Sequence, residues 1–371
     1  MQLRYSYRLC PTRGQGQALA RAFGCARVVY NDALRVRETA REAGLPFPKA
    51  AELSAALTEA KRTPERVWLG EVSAVVLQQS LRDLEAAYRA FFDGLAGRRP
   101  KVGAPRYKSR KDARQSIRFT ANARWCITDG GKLALPKVGE VRVRWSRRLP
   151  CTPSSVTVIK DAAGRYFCSF VVQTTEVPDP PATTAEVGID LGLTHFAVTS
   201  DGRKVTSPRF LRRAEKKLKK AQQALSRKQE GSANRGKARA RVARAHAQVA
   251  DARREFHHQL STMLVRENQA VYVETLSVKG LARTRLAKSV HDAGWSAFTG
   301  MLEYKAARYG RTFARVDRAF PSSQLCSHCG YRDGPKALHI RQWSCGQCGA
   351  EHDRDVNAAR NILHEGRRIT T

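Results

Sequence analysis

The chain has 371 residues, with 67 Lys and Arg against 33 Asp and Glu, for a formal charge of +34. A hydrophobic fraction of 42% is too high for a disordered basic tail and is enough for two or three cored domains. No run of about 18 apolar residues suggests a membrane span, and a cationic surplus of this size calls for a polyanion, most simply nucleic acid.

The N-terminal segment alternates. Leu3, Tyr5, Tyr7 and Leu9 share one face of a strand and Arg4, Ser6 and Arg8 the other, until Pro11 ends it. From about Gln15 to Ala96 the apolar residues recur at helical spacing: Ala20, Phe23, Ala26, Val29 and Tyr30, then Val75, Leu77, Leu81, Leu84, Tyr88 and Phe91. Leu45–Pro48 interrupts them, so a small helical bundle is expected. Arg98–Arg118 is basic, punctuated by Gly and Pro, and contains Tyr107; it suits a loop along a phosphate backbone, or a solvated linker. Short strands follow from about Ser116 to Thr175, with a hairpin turning at Asp161–Gly164. The expectation is a small β-barrel completed by the N-terminal strand, with the helices inserted into it.

Pro178–Thr184 reads as a linker. A second domain opens near Glu186 with strands Val187–Leu191, His195–Ser200 and Lys204–Ser207. Ser207 to about Asn268 is polar, Ala-rich and helical, broken at Gly231–Gly236, and suggests an antiparallel helical pair. Its basic face suits either solvent or a duplex. A strand Ala270–Glu274, a loop to about Ser289, a helix Trp295–Tyr309, a strand Phe313–Val316 and a last helix Asn357–Leu363 complete the domain.

Nine cysteines in a chain without an export signal do not suggest disulfides, and the expected compartment is the bacterial cytoplasm. Cys326 and Cys329 form one C-x₂-C pair, and Cys345 and Cys348 a second, fifteen residues on. That spacing is that of a zinc ribbon, in which four thiolates fill a tetrahedral, structural Zn²⁺ site. Gly330, Gly346 and Gly349 suit the turns. His328, His339 and His352 lie nearby but are surplus to a complete set.

Three acids stand where acids are costly. Asp190 lies in the apolar strand Val187–Leu191. Glu274 ends the apolar strand Ala270–Val273. Asp355 precedes the last helix, where an N-cap is the bland reading and Asp353 the rival. Such a set suits two Mg²⁺ ions in phosphodiester cleavage, on the arrangement of a ribonuclease-H-like fold.

The chain resembles the TnpB family, transposon-encoded RNA-guided DNA endonucleases related to compact type V CRISPR effectors. The resemblance spans nearly the whole chain and rests on Tyr7–Thr12, Phe23–Asn31, Leu77–Leu84, Lys101–Ser109 and three RuvC-like motifs: Gly188–Gly192, Val273–Leu276 and Asp353–Ala359. It implies an α+β multidomain fold. A β-barrel wedge domain (1–14 and 97–180) would hold an inserted helical recognition domain (15–96). A RuvC-like nuclease domain (181–371) would follow, with its zinc ribbon at 322–350. It implies Asp190, Glu274 and Asp355 as the Mg²⁺-binding catalytic triad, Asp355 being preferred because the family's Asp stands two residues before Asn. Thr275 and Ser277 depart from residues often Asp or Asn there. The implied partners are a guide RNA from the transposon end and double-stranded target DNA bearing a short adjacent motif, with no membrane. Gln78 and Gln79 suit reading of that motif or are plain helix polars; Tyr107, Lys108 and Arg110 suit backbone or base contacts. The alternative within this architecture is a catalytically silent RNA-guided repressor. A strand-transferring transposase is a further reading, but nothing resembles a separate end-binding helix-turn-helix.

Overall fold

The computed structural model describes residues 1–174, 181–337 and 339–371. Two compact units divide the chain, Met1–Thr175 and Glu176–Thr371. The first half of the Pro178–Thr184 linker lies outside the described residues.

The first unit is built on a seven-stranded antiparallel sheet. Its strands are β1 (Gln2–Cys10), β2 (Arg114–Thr120), β3 (Cys126–Ile127), β4 (Lys132–Leu135), β5 (Gly139–Arg144), β6 (Ser155–Asp161) and β7 (Tyr166–Gln173). The order is β2-β6-β7-β1-β5-β4-β3. The N-terminal strand is therefore central, paired from Gln2↔Gln173 to Leu9↔Tyr166 on one side and with β5 on the other. The edge strands β2 and β3 share no ladder among the described residues, so hydrogen bonding does not close the expected barrel. The sheet nevertheless curls. Laid flat, seven strands put their edges about 29 Å apart. Thr120 and Cys126 are joined by five residues, which span at most about 21 Å.

Helices α1 (Arg13–Glu42), α2 (Ala50–Ala60) and α3 (Ala74–Leu95) fall between β1 and β2, as the periodicity requires. Thr12 and Gln15 form a capping box that starts α1. Leu19, not Ala20, takes the buried position in its first turns. Strand β2 begins at Arg114, inside the stretch expected to be a loop, because Gln115, Ile117 and Phe119 continue the alternation and pair with β6. The hairpin at Asp161–Gly164 is present, with Gly164 at φ +76°.

The second unit carries β8 (Glu186–Asp190), β9 (His195–Thr199), β10 (Lys204–Thr206), β11 (Ala270–Glu274) and β12 (Thr312–Val316), in the order β10-β9-β8-β11-β12. Strands β8 to β10 form an antiparallel meander, and β11 and β12 join β8 in parallel. Counted within the unit, the order is 3-2-1-4-5. Its helices are α4 (Phe210–Ser226), α5 (Ala233–Glu267), α6 (Val278–Leu281), α7 (Ala287–Ala293), α8 (Trp295–Arg308) and α9 (Arg354–Thr370). The expected helical pair is α4 and α5, joined around Leu218, Ala245 and Val249, but it breaks at 227–232 and Gly236 is helical. The stretch expected as a loop to Ser289 holds α6 and the start of α7. A buried Lys305 on α8 ties that helix to α5: its Nζ donates to His258 O, Ser261 Oγ and Thr262 Oγ1, each at 2.7 Å.

The last helix starts three residues before the expected Asn357 and runs on to Thr370. It crosses β8 at Gly188, where an added Cβ would meet Ala359 O at 2.1 Å and Leu363 N at 2.5 Å. Only glycine permits that approach. Gly188→Ala is therefore expected to destabilise the unit by about 3 kcal/mol, read as a lowered urea midpoint.

Candidate metal centres and nucleic-acid contacts

The ribbon follows β12. Two knuckles repeat one backbone pattern: Gly330 N–H donates to Cys326 O and Gly349 N–H to Cys345 O, each at 2.9 Å. Gly330 and Gly349 sit at φ +77° and +70°, where glycine is favoured; Gly346 does not. Strands β13 (Gln342–Ser344) and β14 (Glu351–Asp353) pair beneath the second knuckle. The four thiols lie within 4.8 Å of one another. Cys326 to Cys348 and Cys329 to Cys345 are both 3.7 Å. Thiolates on a tetrahedron with Zn–S bonds of about 2.3 Å lie about 3.8 Å apart, so the cluster fits Zn²⁺ and is far too open for a disulfide. Backbone N–H groups of Cys348 and Gln347 favour the thiolate of Cys345 and lower its pKa to about 7.

The cluster is wired to α9. His352, on β14, places Nε2 3.0 Å from Cys326 Sγ and packs on Trp343. It supports the thiolate from outside the set of four. Asn357 accepts from Ser327 N–H at 2.8 Å and donates to Leu325 O at 2.7 Å. Asn361, one turn on, donates to Ser322 O and Leu325 O at 2.8 Å each. Both amides are buried, at 1% and 4% exposure, so the first turns of α9 are bolted to the first knuckle. Sequence reasoning missed this pair. Two Asn at i and i+4 on an otherwise apolar helix face were the available signal.

The carboxylates converge through register. Strand β11 runs parallel to β8 with Val273 opposite Ile189, so Glu274 ends beside Asp190. Asp190 lies two residues, about 6.6 Å, beyond Gly188 on the same face of its strand. Asp355 lies four residues, about 6 Å, before Ala359 on α9, and the strand and helix meet at Gly188 and Ala359. Asp190 and Asp355 are thereby brought to one end of the sheet. The two rival acids, Asp353 and Asp355, take different positions. Asp353 is the N-cap of α9, accepting from Asp355 N–H and Val356 N–H at 3.1 Å each, and it pairs with Lys204 Nζ at 2.6 Å. Asp355 is left free of the cap. It faces His195 Nδ1 at 3.9 Å and Arg341 Nη1 at 3.1 Å. Neither His195 nor Arg341 was singled out from the sequence, because no spacing rule marks them.

Burial pushes the Asp190 carboxyl well above its usual range, and the Glu274 and Asp355 charges push it further. Burial raises Glu274 to about 7, against the Leu191 N–H that donates to its Oε1 at 2.8 Å. Asp353 behaves oppositely: burial works against its charge, but Lys204 and the helix N–H groups hold it below the ordinary value. Two adjoining carboxyls whose charged forms are disfavoured by burial fit divalent cations held by oxygen donors. Among the described residues the cysteines alone put three or more ligand atoms within 4.8 Å of one another, so the acids span a wider site.

A pH dependence follows. A carboxyl whose folded pKa is raised binds more protons in the folded than in the unfolded chain between about 4.5 and 7. Stability of the metal-free protein should therefore fall as pH rises through that window. Glu274→Gln is expected to remove part of the fall, seen as a smaller drop in Tm from pH 5 to pH 8 than in wild type.

In the first unit the candidate contacts separate. Gln79 is buried and lines a cavity of about 120 Å³ with Lys108, Asp83, Arg114 and Arg118. Gln78 instead donates to Ser54 Oγ at 2.9 Å. Tyr107 is exposed and donates its hydroxyl to Glu38. Lys108 lies 3.8 Å over the Tyr30 ring, and burial lowers its pKa. Its backbone N–H and carbonyl pair with the Asn31 side chain, so the basic loop is anchored to α1. Arg110 is exposed.

Three family descriptions match the chain: "OrfB_IS605: Probable transposase" at residues 169–285, "Cas12f1-like, TNB domain" at 295–362 and a "Helix-turn-helix domain" at 1–45. The last is a likeness that the sequence reading did not find, although in the structure that segment is β1 and the uninterrupted helix α1. A Streptomyces pristinaespiralis protein named "Putative RNA-guided DNA endonuclease" is 49% identical over 98% of this chain and 89% of its own. The Escherichia coli K12 protein InsQ, similarly named, is 30% identical over 98% of this chain and 92% of its own. The fold is similar to a chain of a Cas12f1–sgRNA–target DNA complex, with a TM-score of 0.57 and 14% identity over 95% of this chain and 83% of that one. Near-half identity along almost its entire length places the protein in a family: the chain belongs to the transposon-encoded TnpB (OrfB, IS605) family.

Proposed function

We propose that the chain is an RNA-guided DNA endonuclease that cleaves by metal-assisted phosphodiester hydrolysis at Asp190, Glu274 and Asp355. The observation that carries this reading is the convergence of three acids from β8, β11 and α9 at one end of a sheet, in a chain of charge +34. The 3-2-1-4-5 strand order supports the ribonuclease-H-like assignment, and the relatives' names support the guided reaction.

Asp190, Glu274 and Asp355 would hold Mg²⁺. Bound there, the ions would acidify the attacking water and stabilise charge on the leaving oxygen. The chain's own groups prepare the site. Leu191 N–H fixes one Glu274 oxygen. Asp353 takes the helix cap and leaves Asp355 to the cleft. The Zn²⁺-filled ribbon holds α9 in place through Asn357 and Asn361. Guide RNA from the transposon end supplies sequence by pairing with the target strand, while the cationic surface contacts backbone. Gln78 and Gln79 are the candidates for the short adjacent motif, and Tyr107, Lys108 and Arg110 for backbone or bases.

The test uses protein purified with its co-purifying RNA and a plasmid library carrying a guide-matched target beside a randomised flank. Cuts that need Mg²⁺ and intact RNA are expected, and the flanks that are cut define the motif. Guide-dependent binding without cuts would replace this reading with the silent repressor.

A further inference from the structure

The carboxylates are not the only donors at this end of the sheet. His195 opens β9, and its Nδ1 is shut off from solvent without any hydrogen-bond partner. That nitrogen stands 3.9 Å from Asp355 Oδ2, too far for a hydrogen bond. A buried polar atom left this way is destabilising unless something binds it. The ring is not there by slack: its strand is paired with β10 at Thr206, and 70% of the side chain is covered, 30% remaining exposed. Two donors on one octahedral ion with bonds of about 2.1 Å lie about 3.0 Å apart when adjacent and about 4.2 Å when opposite. The observed 3.9 Å matches neither arrangement as it stands and lies nearer the second, so one cation between them would satisfy both atoms after a small rotation of the ring or the carboxylate. Arg341, whose side chain is half exposed, supplies positive charge to the same carboxylate at 3.1 Å.

We propose that His195 Nδ1 is a ligand to the cation held by Asp355, making this a mixed nitrogen–oxygen centre; the proposal rests on the metal-site reading of the acids. Imidazole is a poor partner for Mg²⁺, which selects oxygen, and a better one for transition metals. His195 thereby biases the centre toward Mn²⁺.

The test uses Mn²⁺ as the probe on the full RNA-loaded protein, followed by electron paramagnetic resonance and spin-echo modulation. Binding lost in Asp190→Ala identifies the site. Directly bound imidazole gives ¹⁴N modulation, and ¹⁵N-histidine labelling of the wild type should change it to a ¹⁵N pattern. That label needs no mutation and separates histidine from RNA nitrogens. His195→Ala should abolish the signal and weaken Mn²⁺ binding by about tenfold, with a smaller loss for competing Mg²⁺. Asp190-dependent Mn²⁺ without a label-sensitive nitrogen would overturn the His195 ligand and leave the carboxylate centre standing. Nitrogen modulation that survives His195→Ala would also overturn it. No Asp190-dependent Mn²⁺ at all would overturn both.

Discussion

Asp190→Asn is expected to lower guide-matched DNA cleavage by about 10³-fold while leaving RNA binding unchanged. The side chain keeps its shape and loses the charge through which it would hold a cation. The same change should not destabilise the metal-free protein. Asp190 is half-buried beside Glu274 and within the field of Asp355, so a neutral amide relieves repulsion at alkaline pH. A Tm at pH 8 equal to or above wild type, with cutting abolished, is the expected pair of results. That combination marks an acid kept for function at the expense of stability. Cleavage at the wild-type rate would show that the three acids are not the reacting centre. Loss of RNA binding alongside cleavage would show instead that the change had damaged the fold.

The second large effect concerns the ribbon. Cys345→Ser is expected to empty the zinc site, measured as zinc per chain, and to cut cleavage by more than about tenfold. Structural zinc contributes on the order of 10–16 kcal/mol in small zinc-dependent folds, so the knuckles should not persist without it. The consequence travels by named contacts. Cys326 meets His352, and His352 precedes the Asp353 cap. Leu325 O and Ser327 N–H are the groups that Asn357 and Asn361 hold. Hydrogen exchange at residues 353–357 should therefore rise in the variant, while strands β1 to β7 keep their protection. Zinc-free protein that cuts normally would break the proposed coupling.

Much of this was legible from residues. The alternation of Leu3 to Leu9, the two helical stretches and the Cys pairs each follow a local period or spacing, and local rules survive folding. Asp190 and Glu274 were visible as charges in apolar strands, and Asp355 as an acid beside the last helix. Their meeting was not, because it depends on the β8–β11 register and on the contact at Gly188, both set by residues far apart in sequence. The assignment of the cap to Asp353 was equally hidden: two acids within three residues fit one helix start, and only the backbone angles choose. Edge strands misled where a basic composition masked alternation, as at Arg114–Thr120. His195, Arg341 and the Asn pair carry no motif at all. They matter through what packs beside them.

The most direct measurement is single-turnover cleavage of a supercoiled plasmid by the RNA-loaded protein, with Mg²⁺ or EDTA and with a matched or mismatched target. The account predicts cut product in the matched, Mg²⁺-containing reaction of the wild type alone, and none from Asp190→Asn, Glu274→Gln or Asp355→Asn. Cutting that ignores the guide, survives EDTA, or persists in any of the three variants would contradict it.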